Sequence, residues 1–277
     1  MLSFVFYALA TALYLLGWQR LRVRSPEALG PQAGIAVDLA QAVVLLGLFA
    51  HAASLVAPAF VLGVRFGFAH ALSVGFLVGA AILWLESLSV RVDAMWLILL
   101  PGAAAVVWLP ALFPGAQLTT AGSGALLALH LVVGLGAYSV LLLAALHALL
   151  MAFAERALHG VPGGSQSRWL DRLPPLLVLE RLLFRMITLG FALLTLTVLT
   201  GVVFAEETFG RPMRPDHKSV LSILAWILFG VLLLGRHLRG WRGRTALRFT
   251  LSGFGLLLLA YVGTRFVLEV VLQRFGA

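Results

Sequence analysis

The stretch 186–204, MITLGFALLTLTVLTGVVF, decides the fold, because it holds no charged residue over the length of a bilayer-spanning helix. Inside lipid the backbone finds no water, so such a run crosses as an α-helix with internal hydrogen bonds. Of the 277 residues, 61% are hydrophobic and 11% are charged, whereas soluble domains average about 45–50% and about 25%. The composition excludes a soluble fold and predicts an all-α, polytopic membrane protein.

Eight apolar runs are long enough to cross a bilayer, and together they predict one integral membrane domain over residues 1–277. Their expected bounds are 2–17, 34–56, 66–86, 93–111, 122–153, 178–205, 217–236 and 248–272. Pro101 and Pro110 interrupt the fourth run, since proline breaks the helical hydrogen-bond ladder. The fifth run continues to about Leu158 and should project into water at one end.

The basic residues are distributed unevenly between the two sides of these runs. Fourteen lie in the first, third, fifth and seventh connections, five lie on the opposite side, and Arg265 lies inside the last run. Because Lys and Arg accumulate on the cytoplasmic side, both termini are predicted on the outer side. The net charge of +9 therefore indicates topology, and no single basic face predicts a nucleic-acid partner.

The chain contains no cysteine, which excludes thiol chemistry, Cys-ligated zinc and covalent attachment of haem. Histidine is then the strongest available ligand for a soft metal or a haem iron. No phosphate-binding loop, dinucleotide fingerprint, zinc-protease motif or nucleophile elbow occurs in the sequence. We therefore predict no enzymatic activity.

Three histidines, His51, His70 and His130, are expected at a similar depth in the outer half of the membrane. An imidazole at that depth is satisfied either by an interhelical hydrogen bond or by a ligand. Two imidazoles that face each other across helices can hold a haem iron. His147 lies on the same run as His130 but roughly 25 Å further along it, so those two cannot share an iron.

Arg265 lies about two turns from the outer end of the last run, and Glu269 follows four residues later. One interpretation is an ion pair within the helix. The other is that Arg265 binds an anionic group of a ligand, such as a haem propionate. The outer loop before the seventh run mixes acids, bases and a histidine, and either a solvated or a functional loop fits that mixture.

From residue 179 onward the sequence resembles the cytochrome c assembly membrane family, which includes CcsA and HemX-type proteins. The stretch 190–207 follows the family pattern GF-x-LLT-x-x-x-x-x-G-x-x-x-A-x-E, and the next helix ends in His237 beside an arginine. His130 with Tyr138 resembles the family's H-V-x-x-x-x-x-x-Y helix. The stretch 240–272 is similar to the small YpjD-like branch. The resemblance covers about residues 120–277.

This resemblance implies noncovalent handling of haem b at the outer face of the bacterial inner membrane. His130 matches an outer haem-ligating histidine, and His237 matches a histidine that serves a second, inner haem site in cytochrome c synthases. The family's tryptophan-rich outer motif is not intact here. Phe209, Met213 and Pro215 stand at its tryptophan positions, Asp216 and Lys218 are kept, His217 and Ser219 replace a proline and a glutamate, and Leu272 stands near a missing second histidine.

The sequence thus predicts a haem-binding or haem-handling membrane protein whose iron is ligated by His51 and His130, with His70 as the alternative to His51. His237 and Arg265 complete the expected cofactor-binding residues. The expected partners are the lipid bilayer, haem, and another membrane or cytochrome-maturation protein. The competing interpretation is a haem-free accessory subunit of a haem-synthesis enzyme or a metal-ion transporter. A small-solute transporter is a third, although no inverted repeat supports it.

The predicted orientation can be tested with reporters fused after Ala277. Alkaline phosphatase fused there should be active, and green fluorescent protein fused there should be dark, because the end of the chain is expected outside. Insertions of the same reporters within 160–170 should show the opposite pattern. A fluorescent fusion after Ala277 would reverse the assignment.

Overall fold

The computed structural model describes residues 2–23, 38–63, 65–89, 93–117, 125–158, 175–209 and 216–272, and most of them are helical. The elements are α1 (Leu2–Val23), α2 (Leu39–Leu62), β1 (Arg65–Phe66), α3 (Phe68–Ser87), α4 (Asp93–Val106), α5 (Leu109–Leu112), β2 (Ala116–Gln117), α6 (Ala125–Leu158), α7 (Leu176–Phe209), α8 (His217–Arg239) and α9 (Arg244–Leu258). The chain continues as π1 (Leu259–Gly263), α10 (Thr264–Phe266) and π2 (Val267–Val271). The segment from α9 through π2 is called the C-terminal helix below.

The predicted membrane spans are confirmed, since eight helices among the described residues are long and apolar enough to cross a bilayer. Many large apolar side chains on these helices are exposed, including Phe60, Val132 and Leu238. Lipid accommodates such side chains, whereas water would not. The orientation derived from the arginines stays a prediction.

The expected start of the second span was wrong for a local reason, whereas the fourth span, expected at 93–111, is confirmed at Asp93–Leu112. The second helix begins at Leu39 rather than residue 34, because Asp38 and Gln41 form a reciprocal capping box at its start. The fourth span is divided into α4 and α5, and Pro110 lies at the first turn of α5. Proline is tolerated at that position but ends a helix that approaches it from the N-terminal side.

Helix α6 is the central element of the bundle. Residues 139–145 are all buried, so this part of α6 is covered on every side, as expected for a helix that is apolar all round. It contacts α3, α4, α7 and α9. On one side of the bundle α1 contacts both α2 and α4, and on another α8 packs against α9.

Small residues allow α6 and α7 to pack closely along most of their length. A Cβ atom added at Gly190 would lie 2.5 Å from Leu141 Cδ2 and 2.6 Å from its Cγ. Further along, a Cβ at Gly134 would meet Thr197, and one at Gly201 would meet the His130 ring at 3.2 Å. Glycine at such points lets helix backbones approach where hydrophobic expulsion from water supplies no driving force.

A two-stranded antiparallel pair closes one end of the bundle, and the sequence analysis did not predict it. Arg65 pairs with Gln117 and Phe66 pairs with Ala116, so the third span starts at Phe68 instead of residue 66. The chain turns tightly beside the pair, where Gly115 has a φ of 68°, a conformation that glycine adopts at little cost. The pair joins the segment after α2 to the segment after α5.

The glycine contact between α6 and α7 generates a stability prediction. Gly190→Ala should lower the free energy of unfolding by about 1–3 kcal/mol, because the added methyl group overlaps Leu141. Gly255→Ala is the matched control, since within the described part of the chain no atom outside its own helix backbone lies within 4 Å of its added Cβ. It should be neutral or slightly stabilising, by about 0.5–1 kcal/mol. Thermal unfolding in detergent measures both, and equal stability of the two variants would contradict the proposed close contact.

Candidate functional site

A cavity of about 620 Å³ lies where α6, α7, α8 and the C-terminal helix meet, at the end that carries the β1–β2 pair. Most of its lining is apolar, with Leu131, Leu135 and Leu194 as examples. A few polar groups also face it, namely His130, Tyr138, Asp216, Lys218, Ser219, Tyr261 and Arg265, with the hydroxyls of Thr197 and Ser222. An apolar cavity of this size with a few converging polar groups is typical of a site for an organic ligand or cofactor.

His130 reaches this cavity from α6 and is held in place by α7. Its Nδ1 lies 3.1 Å from Thr200 Oγ1, and Gly201 leaves the space that the ring occupies. The Thr200 hydroxyl also lies 2.8 Å from the Leu196 carbonyl, to which it donates its single proton. The Thr200 hydroxyl can then accept from Nδ1, and in that tautomer the lone pair of the imidazole is on Nε2. A backbone hydrogen bond with Thr197 also acts on the His130 ring.

Two cationic side chains, Lys218 and Arg265, line the same cavity. They are close enough to repel each other electrostatically. Asp216 and Glu269 offset part of this positive charge electrostatically, and intramembrane charges of this kind mark candidate ligand sites. The cavity thus combines an imidazole, an apolar wall and an anion-binding region.

Asp216 caps α8 at the edge of this cavity. Its side chain accepts hydrogen bonds from the Ser219 N–H at 2.8 Å and from the Ser219 hydroxyl at 2.6 Å. Partial burial favours the protonated carboxyl, but these bonds and the nearby Lys218 outweigh burial, so the pKa of Asp216 lies below its ordinary value. The capped helix start holds Lys218 and Ser219 at the cavity.

His51 is fully buried but does not line the cavity. Its Nδ1 lies 3.0 Å from the Tyr14 hydroxyl, and its Nε2 lies 2.8 Å from Ser73 Oγ. Both ring nitrogens are thus engaged by α1 and α3. The predicted iron shared by His51 and His130 is not supported, because the structure gives His51 the interhelical hydrogen bonds that were its other interpretation.

His70 and His237 are not brought to the cavity either. His70 lies in the first turn of α3, where its buried Nδ1 has no hydrogen-bond partner among the described residues, and its neighbour Ala71 lines the cavity instead. His237 is exposed near the opposite end of α8 from the cavity. Of the predicted cofactor-binding residues, the cavity therefore brings together His130 and Arg265.

Two interpretations of Arg265 and Glu269 were open, namely an ion pair within the helix and an arginine that faces a ligand. The structure has features of both. Glu269 attracts Arg265 electrostatically, yet Arg265 also lines the cavity. Glu269 is 4% exposed, and its carboxylate lies against the start of α3, where a Cβ on Gly67 would come within 2.7 Å of Oε2. The positive end of the α3 dipole favours a carboxylate at that place.

The tryptophan-rich motif falls largely outside the described residues. Met213 and Pro215 are not described, and nothing is known of the Phe209 side chain. The retained positions Asp216 and Lys218 are described, and both line the cavity. Leu272, near the place of the family's second outer histidine, is exposed at the end of the C-terminal helix.

Three site residues were missed as functional residues by sequence reasoning, namely Thr200, Tyr138 and Tyr261. A threonine in a membrane helix usually bonds its own helix, as Thr188 and Thr195 do here. The available signal for Thr200 was its neighbour Gly201, since glycine marks a close helix contact. Which residue lies opposite it depends on how α6 and α7 align, which the separate helices do not reveal.

In the described part of the chain, eight helices long and apolar enough to cross a bilayer define the class as a multi-pass membrane protein, and the apolar, partly cationic cavity among them has room for an organic ligand. Residues 36–272 match the family described as Cytochrome C assembly protein, and the chain belongs to that family. This confirms the resemblance and supports a haem-handling role in general.

Two sets of curated relatives are similar to parts of the chain. "Inner membrane protein YpjD" of Escherichia coli is 37% identical over 142 residues, which are 51% of this chain and 52% of that protein. "Cytochrome c biogenesis protein CcsA" of Prochlorococcus marinus is 37% identical over 98 residues, which are 35% of this chain and 31% of that protein. The chain thus spans about half or less of the length of these relatives, and no solved structure matches it significantly.

The inner-membrane relative and the eight apolar helices together confirm the predicted localisation. The chain is a multi-pass protein of the bacterial inner membrane.

The Asp216 cap generates the second stability prediction. Asp216→Ala should lower the Tm by a few degrees, because an N-cap contributes about 1 kcal/mol. Since the pKa of Asp216 is lowered in the folded protein, this difference is present at neutral pH and is lost as the pH falls through that lowered value. Asp216→Ser should retain most of the stability, because serine also caps. A Tm difference that persists in acid would contradict this origin.

Proposed function

We propose that this protein binds haem b noncovalently in the cavity, with His130 as a ligand of the iron. The observation that carries the proposal is the placement of His130 in an apolar cavity of about 620 Å³ that Lys218 and Arg265 also line. Membership of a family named for cytochrome c assembly supports haem handling in general. Haem b is the form proposed, because a chain without cysteine cannot attach haem through thioethers.

The residues present fit such a ligand. Among the described residues no group of three or more His, Cys, Asp or Glu side chains could hold a bare metal ion. A porphyrin supplies four nitrogen ligands of its own, so a single imidazole suffices to anchor the iron. When bound, haem would supply a redox-capable iron, which this protein would carry rather than use in catalysis.

Each polar residue of the cavity then has a distinct part in binding. Thr200 fixes the tautomer and orientation of His130, as outer hydrogen-bond partners of ligating histidines do. Arg265 and Lys218 bind the propionates, which need charge-assisted hydrogen bonds when they leave water. The apolar wall excludes water from the porphyrin faces.

The proposed place of this activity is the outer half of the membrane. The cavity lies at the end of α6 and α8 that the arginine distribution puts outside. There the protein would hold haem or pass it to another membrane or cytochrome-maturation protein. The outer platform that presents haem in the family is incomplete, since Phe209, Met213 and Pro215 replace its tryptophans, so transfer to an apocytochrome by this chain alone is not proposed.

A haem-free accessory subunit of a haem-synthesis enzyme or metal-ion transporter is the second candidate. The observation that favours it is that His130 is the only imidazole among the described residues lining the cavity. His51 bonds Tyr14 and Ser73 instead. The family's second outer histidine is missing, and Leu272 stands near its position. In that case the bundle would serve as a scaffold for the partner protein.

Absorbance of the purified protein distinguishes these functions. We expect a Soret band and a positive pyridine haemochrome assay in the wild type, and loss of both in His130→Ala. His217→Ala is the matched control, because His217 is exposed at the same end but does not line the cavity. His51→Ala should retain haem, and His237→Ala should lower the haem content only if a second, inner site exists. Wild-type protein without a Soret band, after reconstitution with haem, would favour the accessory subunit.

The role of Thr200 is tested in the same titration. Thr200→Val should weaken haem binding about tenfold or more, because outer partners of a ligating histidine contribute about 10–100-fold to affinity. Thr188→Val is its control, since Thr188 bonds only the Phe184 carbonyl of its own helix among the described contacts. Equal affinities of the two variants would contradict the orienting role.

A further inference from the structure

The C-terminal helix departs from α-geometry beside the cavity. The Thr264 N–H bonds the Leu259 carbonyl, and the Leu272 N–H bonds the Val267 carbonyl at 2.9 Å. Both bonds span five residues, which is the π-helical pattern. Segments of this kind are rare, and they are commonly found at functional sites or where a side chain enters the helical hydrogen-bond ladder.

One side chain from α6 enters the ladder just before the first of these segments. The Tyr138 hydroxyl donates to the Leu257 carbonyl, and the Tyr261 backbone N–H is directed at the same hydroxyl oxygen. In an α-helix that carbonyl and that N–H would bond each other, because they are four residues apart. The hydroxyl therefore lies between two groups that an α-helix would pair, and π1 begins two residues after Leu257.

The π-helical turns change which residues face the cavity. In a continuous α-helix, residues four apart drift around the axis by about 40° at each step. The wider π-helical turns reverse that drift. Leu257, Tyr261 and Arg265 consequently all line the cavity, and Glu269, four residues further, reaches the start of α3.

We propose that Tyr138 is a positioning residue: by entering the helical ladder between Leu257 and Tyr261, its hydroxyl produces the π-helical turn that directs Arg265 into the cavity. Its ring also contacts the Tyr261 ring, with centroids 6.2 Å apart. Tyr138 thus couples α6, which carries the iron ligand, to the helix that carries the anion-binding arginine. The geometric part of this inference stands by itself, and its consequence for haem rests on the proposed function.

The geometry is tested without haem, in the full chain, by distances between spin labels. Because the chain has no cysteine, single cysteines can be placed at Val132 on α6 and Val267 on π2, which are both exposed. Tyr138→Phe should change this distance by several ångströms, because loss of one π-helical turn rotates the following residues by about 100°. The distance from Val132 to Val220 on α8 should stay the same and show that the bundle is intact.

Tyr7→Phe is the matched control, since it removes a buried tyrosine hydroxyl from α1, away from the cavity. It should leave both distances unchanged. Tyr138→Leu serves as a second hydroxyl-free variant where Tyr138→Phe is not recovered in folded form. An unchanged Val132–Val267 distance overturns the positioning role. So does failure of both Tyr138 variants to fold while Tyr7→Phe folds, because the hydroxyl would then be needed for the fold as a whole.

The consequence for the ligand is tested by haem titration of the same variants. Tyr138→Phe should weaken haem binding about tenfold, the loss expected for one charge-assisted contact. Adding Arg265→Gln to Tyr138→Phe should cost nothing further, since the arginine would already be turned away. Additive losses overturn the link to Arg265. A shifted label distance in a protein that binds no haem supports the positioning role and counts against the proposed function instead.

Discussion

Close packing of α6 against α7 is the interaction on which the rest of the structure depends. It requires glycine at Gly190, where no Cβ fits against Leu141. The same alignment of the two helices places Thr200 and Gly201 opposite His130. Because α6 also contacts α3, α4 and α9, the spacing of this one pair determines where the remaining helices can lie and where the cavity forms.

The bilayer imposes a second constraint, namely that each buried polar side chain needs a partner inside the protein. Much of the bundle satisfies it through bonds between helices. His51 joins Tyr14 and Ser73, and the Trp226 indole N–H donates to Thr195 at 2.9 Å. At the opposite end from the cavity, Arg236 pairs with Glu180. These contacts hold helices that lipid, being as apolar as their surfaces, would not force together.

The two ends of the bundle differ in their charged and polar groups. The end opposite the cavity carries ion pairs such as that of Arg244 with Glu155 at 2.7 Å, and a surface pair of this kind contributes little individually. At the other end, His130, Lys218 and Arg265 surround an apolar space. A charge near an apolar cavity is expensive unless a ligand or neighbour offsets it. The asymmetry supports the cavity end as the functional one.

Sequence patterns predicted the helices well because each span has a local cause. A run of about 20 apolar residues must be helical in lipid wherever its neighbours are, and all eight spans followed from that rule. The strand pair and the π-helical turns were not predictable in this way. The pairing of Arg65 with Gln117 joins segments that three helices separate, and the π-helical turns lie beside a hydroxyl from another helix.

The histidines show which part of the candidate site follows from the sequence and which part depends on the tertiary structure. Depth in the membrane follows from position along a helix, and by that measure His51, His70 and His130 were equivalent candidates. Only the tertiary structure distinguished them, because the partners of each imidazole depend on the rotation of its helix and on which helices are its neighbours. It placed Tyr14 and Ser73 around His51 and Thr200 beside His130.

The sequence by itself determined the membrane class, the number of spans, the family and the presence of histidine as the available iron ligand. The class and the number of spans follow from hydrophobicity and length, which act locally, and the family follows from residues at fixed spacings such as those of 190–207. The tertiary structure decided which histidine meets Lys218 and Arg265 at the cavity. The physical reason is that a shared site depends on the relative rotation and depth of four helices, and that arrangement arises from packing between them.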